Sequence, residues 1–589
     1  MPIDCRISVS GQEIKSDISS VQLDQYVDDH HVLKLRLRRI GEASAEEDLE
    51  DPSKYTDFLG KPISLTIESD DVYDEPGPVS LEFIGLVTEI SIDNSIDDIN
   101  VVLLTAHSPT IAMDGARRNK LFHEQSASDI ISAVLQNHSI TVGGVESTSG
   151  TLAYCVQYRE TDYEFVMRLA ASSGLFAYYD GTEFKVGKAH SANTELTWRH
   201  ILTAFTMGLG TGTEKFSSQV FDYSKKEVYG GETSGSLRTS LSGLPKASHD
   251  ASKVVYPNDS FIPGLKSDSQ ATLDKSLETR RESSVGGMIT CTGSSYHPLV
   301  SVGKCVKING MGKLDGLLWV KSVRHVFKMG DYQNSFVCTP LDAAYPQRKH
   351  VRKPFSDLQS AVVTDTNDPD NLGRVKVKFH WNESGSSAAA PEKWLRVLTP
   401  HAGGEKGFFC IPEVDDEVLV GYVHGDPDRP VVMGSLYNGV DMPPVDHPAG
   451  WSGADNDLKL FRTKSGNEIY FHDGSGAETL SIVQKDNKNM ITLTLDGPQI
   501  AIESEGDVNI KGANISLEST SGDITLKAGG AINEESTADL KLKAGANLTA
   551  EAAANLEAKG GAQATFKGPM ATVQGDSILT VKGGLVKIN

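Results

Sequence analysis

A few short motifs in this chain have the residue types that chemistry needs, so they set the first question. His123-Glu124 begins like a zinc-protease helix, but the second histidine of HExxH is missing. DTNDPDN (365–371) offers oxygens as a calcium loop does, yet it has Pro369 and lacks the glycine that bends such a loop. GMGKLDG (310–316) spaces its glycines wrongly for a dinucleotide and reads as a hairpin turn. There is no GxSxG elbow and no GxxxxGK[ST] loop. In GDPDRP (425–430) two carboxylates stand two residues apart, the spacing of a candidate acid–base pair. Pro427 and Pro430 fix the backbone there, so Asp426 and Asp428 read as caps of a tight turn, with Arg429 pairing to one of them or to a neighbouring chain. His30-His31 lies among strand residues with no carboxylate or thiol companion and reads as a surface pair. The expectation is a protein with no catalytic residues, cofactor or metal.

Composition agrees. The formal charge of −23 argues against nucleic acid as a partner. Six scattered cysteines without a CxxC pair read as buried, reduced thiols. The opening MPIDCRISVSGQEIKSD has no apolar core of a signal peptide, and no run reaches the ~18 apolar residues of a membrane span. Synthesis in the cytoplasm is expected, with release or delivery by some route other than a cleaved signal.

The elements that must carry these motifs are mostly strands. HVLKLRLRRI (31–40), PISLTIES (62–69), LEFIGLVTEISI (81–92) and INVVLLTA (99–106) alternate with period two. SASDIISAVLQNH (126–138) and TDYEFVMRLAASSG (161–174) are helices: Ser126 and Thr161 cap them, Glu164 completes a capping box, and Gly174 stops the second. A third helix is expected within 267–284, after a Ser/Gly-rich passage at 230–248. GKPISLTI (60–67), FIGLVTEI (83–90) and NVVLLTAHSP (100–109) are echoed in order by GKCVKING (303–310), LWVKSVRH (318–325) and NSFVCTPLD (334–342), which predicts two related β-barrels. Five strands between 360 and 437 predict a small OB-type barrel.

The end of the chain has a different beat. Leu540, Leu548, Leu556 and Ala564 fall eight residues apart, with Leu542, Ala550, Ala558 and Phe566 two places behind, and Ile524, Leu526 and Ile532 extend the rows backward. Phe566 is the only aromatic after Phe471. Inward residues at i and i+2, repeated every eight, describe one strand and one turn per repeat. One thin apolar stripe buries little in a solitary chain and leaves an unpaired edge, so three intertwined copies are the expected closure. A monomeric solenoid is the alternative. Two barrels taken three times make a ring of six similar units, suited to a hexameric partner.

GRVKVKFHWN (373–382), WLRVLTPHAGGEKGFFCIPEVDDEVLVGYVHGDPDRPVVMGSLYNG (394–439), RTKSGNEIYFHDGSGAETLSI (462–482) and QYRETDYEFVMRLAASSGLFAYYDG (157–181) closely resemble the VgrG spike of contractile injection systems, which is similar to phage tail hub-spike fusions. Glu413 and Asp415 stand where the family usually has an Arg and a Gly. ARRNKLFHEQSASDIISAVL (116–135) looks more like the spikes of extracellular, phage-tail-like particles. The resemblance implies a homotrimer on a hexameric Hcp-like tube, among baseplate proteins. It also implies a PAAR-type tip protein, effector cargo, and a target membrane met only mechanically.

The expected architecture is mainly β, divided as hub barrel 1 (1–106), an α/β insert (107–190), hub barrel 2 (191–350), an OB-fold barrel (355–440), a linker (441–457) and a trimeric β-helix needle (458–589). The needle core is expected at Ile524, Leu526, Ile532, Leu540, Leu542, Leu548, Leu556 and Phe566. The tip protein is expected on Leu585, Val586, Lys587, Ile588 and Asn589, and the barrel turn on Asp426, Pro427, Asp428, Arg429 and Pro430. The linker is too short for a catalytic domain, and the sequence ends at GGLVKIN, so neither an inserted lysozyme nor a trailing effector is expected. A glycan-binding or glycan-degrading tailspike is the competing reading; it wants aromatic platforms on the shaft, which the needle lacks.

Overall fold

The computed structural model describes residues 3–588 apart from 15–16, 39–52, 71, 73–76, 94–100, 234–242, 266, 268, 347–354, 382–392, 445–446 and 448–454. The chain divides into two compact units, Met1–His447 and Pro448–Asn589.

In the first unit one large sheet runs through both halves of the hub. Its strands include β1 (Asp4–Val9), β2 (Asp17–Tyr26), β3 (Val32–Arg38), β4 (Pro62–Ser69), β5 (Val79–Asp93) and β6 (Val101–His107) from the first half. The second half adds β7 (Leu202–Leu209), β8 (Ile289–Ser295), β9 (Cys305–Asn309), β10 (Gly316–Lys328) and β11 (Asp331–Pro340). The order is β7-β8-β11-β10-β2-β3-β6-β5-β4-β1, with β9 on β10. The echoed segments adopt the same pairing: β4-β5-β6 and β9-β10-β11 are both antiparallel meanders.

The halves are nevertheless joined rather than separate. One edge of the long β10 is shared: Gly316–Trp319 pair with β9, the ladder breaks around Lys321, and Ser322–Lys328 pair with β2. A strand longer than its first partner leaves donors and acceptors free, and the second half of β10 satisfies them on the first half of the hub. Two hydrophobic cores lie along this sheet. One is built around Leu23, Leu33, Leu35, Ile63 and Phe83, the other around Trp319, Val320, Phe336 and Cys338.

Helices α1 (Ala127–Leu135) and α2 (Asp162–Ser172) form where the caps predicted them. Ser126 accepts the amide of Asp129, and Thr161 with Glu164 makes a complete capping box. Their buried faces, Ile130, Ile131, Phe165 and Leu169, belong to the first hub core, so the insert shares that core. Helix α3 (Leu244–Val255), which the sequence reading did not anticipate, begins inside the Ser/Gly-rich passage with a proline in its first turn; α4 (Gln270–Val285) follows with Ser269 as cap.

The small barrel has β12 (Gln359–Asp365), β13 (Val375–Phe379), β14 (Trp394–Leu395), β15 (Glu417–Tyr422) and β16 (Pro430–Ser435), in the order β14-β13-β12-β15-β16. A bridge from Val397 to Val432 brings the outer strands together. Ala361, Val363, Val375, Val377, Val418, Val420 and Val432 fill its core.

The second unit opens as a five-stranded antiparallel meander from Leu458 to Ser504. After Ser504 no paired strand occurs among the described residues. No helix among the described residues is long and apolar enough to cross a membrane.

Candidate functional site: the barrel joint and the exposed stripe

The GDPDRP turn links β15 to β16, as its prolines require. Asp426, almost fully buried, accepts the Asp428 amide on Oδ1 at 3.1 Å and the Arg429 amide on its carbonyl at 2.8 Å. Arg429 and Asp428 reach further than expected. Asp428 Oδ1 accepts the backbone N–H of Val156 at 2.7 Å, and Arg429 Nη2 donates to the carbonyl of Leu265 at 2.6 Å. Arg429 therefore meets the hub of its own chain rather than its neighbouring carboxylates. Pro427 and Pro430 are buried beneath the turn.

The hub side of this joint is rigid. Val156 lies on the strand Leu152–Glu160, and Arg168 from α2 holds its carbonyl at 2.9 Å while forking onto Glu160 at 2.6 and 2.7 Å. Burial alone would weaken the Arg168 charge; the Glu160 hydrogen bonds outweigh it and keep the guanidinium firmly protonated. Trp381 of the barrel packs against Leu121, Tyr154, Val156 and Tyr158, and its Nε1 donates to Gln359, which in turn donates to Tyr158. Lys393 adds a cation over the Tyr154 ring at 4.6 Å. The joint combines a small apolar patch with directional polar bonds, so it sets the barrel's orientation on the hub.

The other candidates resolve as structure. In the 365–371 loop both Asp368 oxygens are occupied: Arg374 donates at 2.6 and 3.0 Å, and the amides of Asp370 and Leu372 at 3.1 and 2.9 Å. The Arg374 hydrogen bond is the main reason the Asp368 carboxyl stays well below the usual carboxylate range. His123 and Glu124 lie on the strand Arg118–Gln125, not on a helix. Glycines 310 and 312 take positive φ, +85° and +69°, in the hairpin between β9 and β10. Cys155, Cys291, Cys305 and Cys338 are buried as expected, whereas Cys5 is half-buried and Cys410 is exposed; no disulfide joins any of the six. Among the described residues no group of three potential ligands is arranged to hold a metal.

His30 and His31 are a correction. They are 6% and 0% exposed, not a surface pair. His30 Nε2 lies 2.9 Å from Asp114 Oδ2 and Nδ1 lies 2.8 Å from Thr110, so a carboxylate companion exists 84 residues away.

In the second unit the predicted stripe lies open. Ile524, Leu526, Ile532, Leu540, Leu542, Leu548, Leu556 and Phe566 are 54–83% exposed in the single chain. The backbone bends at 521–522, 529–530, 537–538, 545–546, 553–554, 561–562 and 569–570, the same eight-residue beat as the sequence. Leu585, Val586, Lys587 and Ile588 are exposed as well, and Asn589 lies outside the described residues. The structure thus gives the stripe a repeating backbone and leaves it more than half exposed among the described residues.

Comparisons with known proteins match both hub and barrel. Residues 33–331 match the family model for the phage tail baseplate hub (GPD), and 359–437 match the type VI secretion system/phage-baseplate injector OB domain. The type VI secretion system spike protein VgrG4b of Pseudomonas aeruginosa is 26% identical over 430 residues, covering 62% of this chain and 51% of that protein. VgrG3 of Vibrio cholerae is 25% identical over 469 residues, covering 73% and 44%. The chain spans about half the length of the curated relatives it matches. The half-lidded Francisella PdpA-VgrG complex superposes with a TM-score of 0.56 at 10% identity, over 85% of this chain and 88% of that one, a likeness of fold. With the hub match alone spanning half its length, the chain belongs to the phage tail baseplate hub family.

Proposed function

We propose that this protein is the central spike and hub of a contractile injection machine, a non-catalytic homotrimer that adapts a hexameric tube to a membrane-puncturing needle. The observation that carries this reading is the open stripe: eight large apolar residues on one repeating beat, more than half exposed in the single chain. Isolated exposed apolar residues are ordinary, but a continuous periodic row marks a surface made to be covered. Three copies wound about one axis cover it, remove the unpaired edges and give a stiff triangular β-helix.

On this reading the domain boundaries are those expected from the sequence, with the needle running through 458–589. The six hub halves of the trimer dock on an Hcp-like ring among baseplate proteins, and a PAAR-type tip rests on Leu585, Val586, Lys587, Ile588 and Asn589. Sheath contraction drives the trimer forward, and any effector cargo travels with it out of the cell. The relatives named as spike proteins support the reading. The aromatic-poor needle offers no platform for sugars, and the tailspike alternative gains no support.

Electron microscopy of injection particles from cells with and without this chain tests the proposal. Particles lacking it should lose the density beneath the tube, or fail to assemble. Complete particles with an unchanged tip would overturn it.

A further inference from the structure

Three buried polar side chains share one face of the sheet where β2 lies between β3 and β10. Gln25, His31 and His325 are 0%, 0% and 1% exposed. Leu23 pairs with His325 on one side and Leu33 on the other, and Gln25 pairs with Val323. The β2–β3 register, Asp24 with Val32, sets Gln25 opposite His31 and diagonal to His325 on the same face of the sheet. Each has one polar atom without a partner in the protein: Gln25 Nε2, His31 Nδ1 and His325 Nε2.

The bonds these side chains do make fix which of the three atoms donate. His31 Nε2 contacts the carbonyl of Tyr26 at 3.2 Å. A carbonyl only accepts, so that nitrogen carries the hydrogen and Nδ1 is an acceptor. Asn334 Nδ2 donates to the Tyr332 hydroxyl at 3.1 Å and to the His297 carbonyl at 2.7 Å. The Tyr332 hydrogen is then directed at His325 Nδ1, 2.6 Å away, which leaves the hydrogen of His325 on Nε2. Ser301 donates to Gln25 Oε1 at 3.1 Å, so the Gln25 amide presents its N–H₂. Burial holds both imidazoles down to about 3, and each ring therefore carries one hydrogen. The three unpartnered atoms are thus two donors and one acceptor, which cannot satisfy one another as a set.

We propose that a single buried water molecule is held here, accepting from Gln25 Nε2 and His325 Nε2 and donating to His31 Nδ1. Buried waters make about three hydrogen bonds, and leaving these groups unpaired would be costly. Gly181, at φ +117°, keeps the approach open: a Cβ there would come within 3.6 Å of Gln25 Nε2 and 2.6 Å of the Glu82 carbonyl. Phe83 and Tyr179 close the His31 side, with ring centroids 6.3 and 5.5 Å away. Because β2 and β3 come from one half of the hub and β10 from the other, the water pins the halves together at their seam.

A structure of the intact protein at a resolution that shows ordered water tests this. The expected result is one peak within hydrogen-bond distance of all three atoms, without an anomalous metal signal. A dry site, direct pairing of the side chains, or a bound metal would overturn it. A second measurement is the hub melting midpoint in His325→Phe, Gln25→Leu and the triple variant Gln25→Leu/His31→Leu/His325→Phe. A shared water predicts a fall of several degrees for either single change and recovery of much of it in the triple. Additive losses would contradict the water.

Discussion

Leu23, Leu33 and Trp319 in the hub are fully buried by their own chain, whereas Leu540, Leu548 and Leu556 in the needle are 59–70% exposed. All six are large and apolar; what differs is the number of layers each region can build alone. The hub packs helices and further strands onto the buried face of its sheet. A needle repeat has one stripe and no second layer. The hub therefore buries its core within one chain, while the 524–566 stripe stays open in one chain and, on the proposed reading, is buried only among copies.

The sharpest way to break this contrast is to charge the stripe. Leu548→Asp with Leu556→Asp places six carboxylates in the core of a trimer, against about 2–3 kcal/mol of burial lost per leucine. The protein should become monomeric in light scattering and keep its hub β signal in circular dichroism. A trimer that survives would mean the stripe is not its core. Trp319→Ala should act on the other region, costing about 3–5 kcal/mol of hub stability in denaturant melts at any protein concentration. Needle changes should instead show concentration dependence.

Acid should also separate the regions. His31 and His325 are kept neutral by burial, held down to about 3 from an ordinary 6.5. Groups with a lowered folded value bind protons more readily unfolded, so their contribution is intact above pH 6.5 and is lost as pH falls toward 3. At pH 5 this is about 2 kcal/mol per imidazole. The Asp368 carboxylate, lowered by Arg374, adds a loss in the same direction at lower pH still. Hub melting followed from pH 8 to pH 4 should fall steeply below pH 6.5; a flat profile would contradict the buried, neutral histidines. A smaller effect is expected at the joint: Asp428→Ala strands the Val156 amide and should cost about 1–3 kcal/mol, read in urea melts of the first unit. Smaller again is Glu534→Leu, which replaces the charged residue midway between Leu526 and Leu542. It should raise the trimer's melting midpoint by a few degrees; a lower midpoint would mean the slot faces outward.

What the sequence disclosed follows from the range of the interactions. Capping by Ser126, Thr161 and Glu164 is local and legible, and so are the valine-rich strands of the small barrel and the eight-residue beat. The partners of His30 are not: Asp114 is distant in sequence, and nothing around His30-His31 announces burial. The same holds for Val156 and Asp428, joined across 272 residues. Helix α3 hid in a Ser-rich passage, its start marked only by Pro245. The fusion of the hub halves depended on the length of β10, whose second half looks like any other strand until its partner is known.

The central claim is that the needle exists only among copies, and the solution mass of the full chain tests it most directly. Light scattering of the purified protein should give close to three times the 63.5 kDa of one chain. A folded species at the mass of one chain would contradict the account.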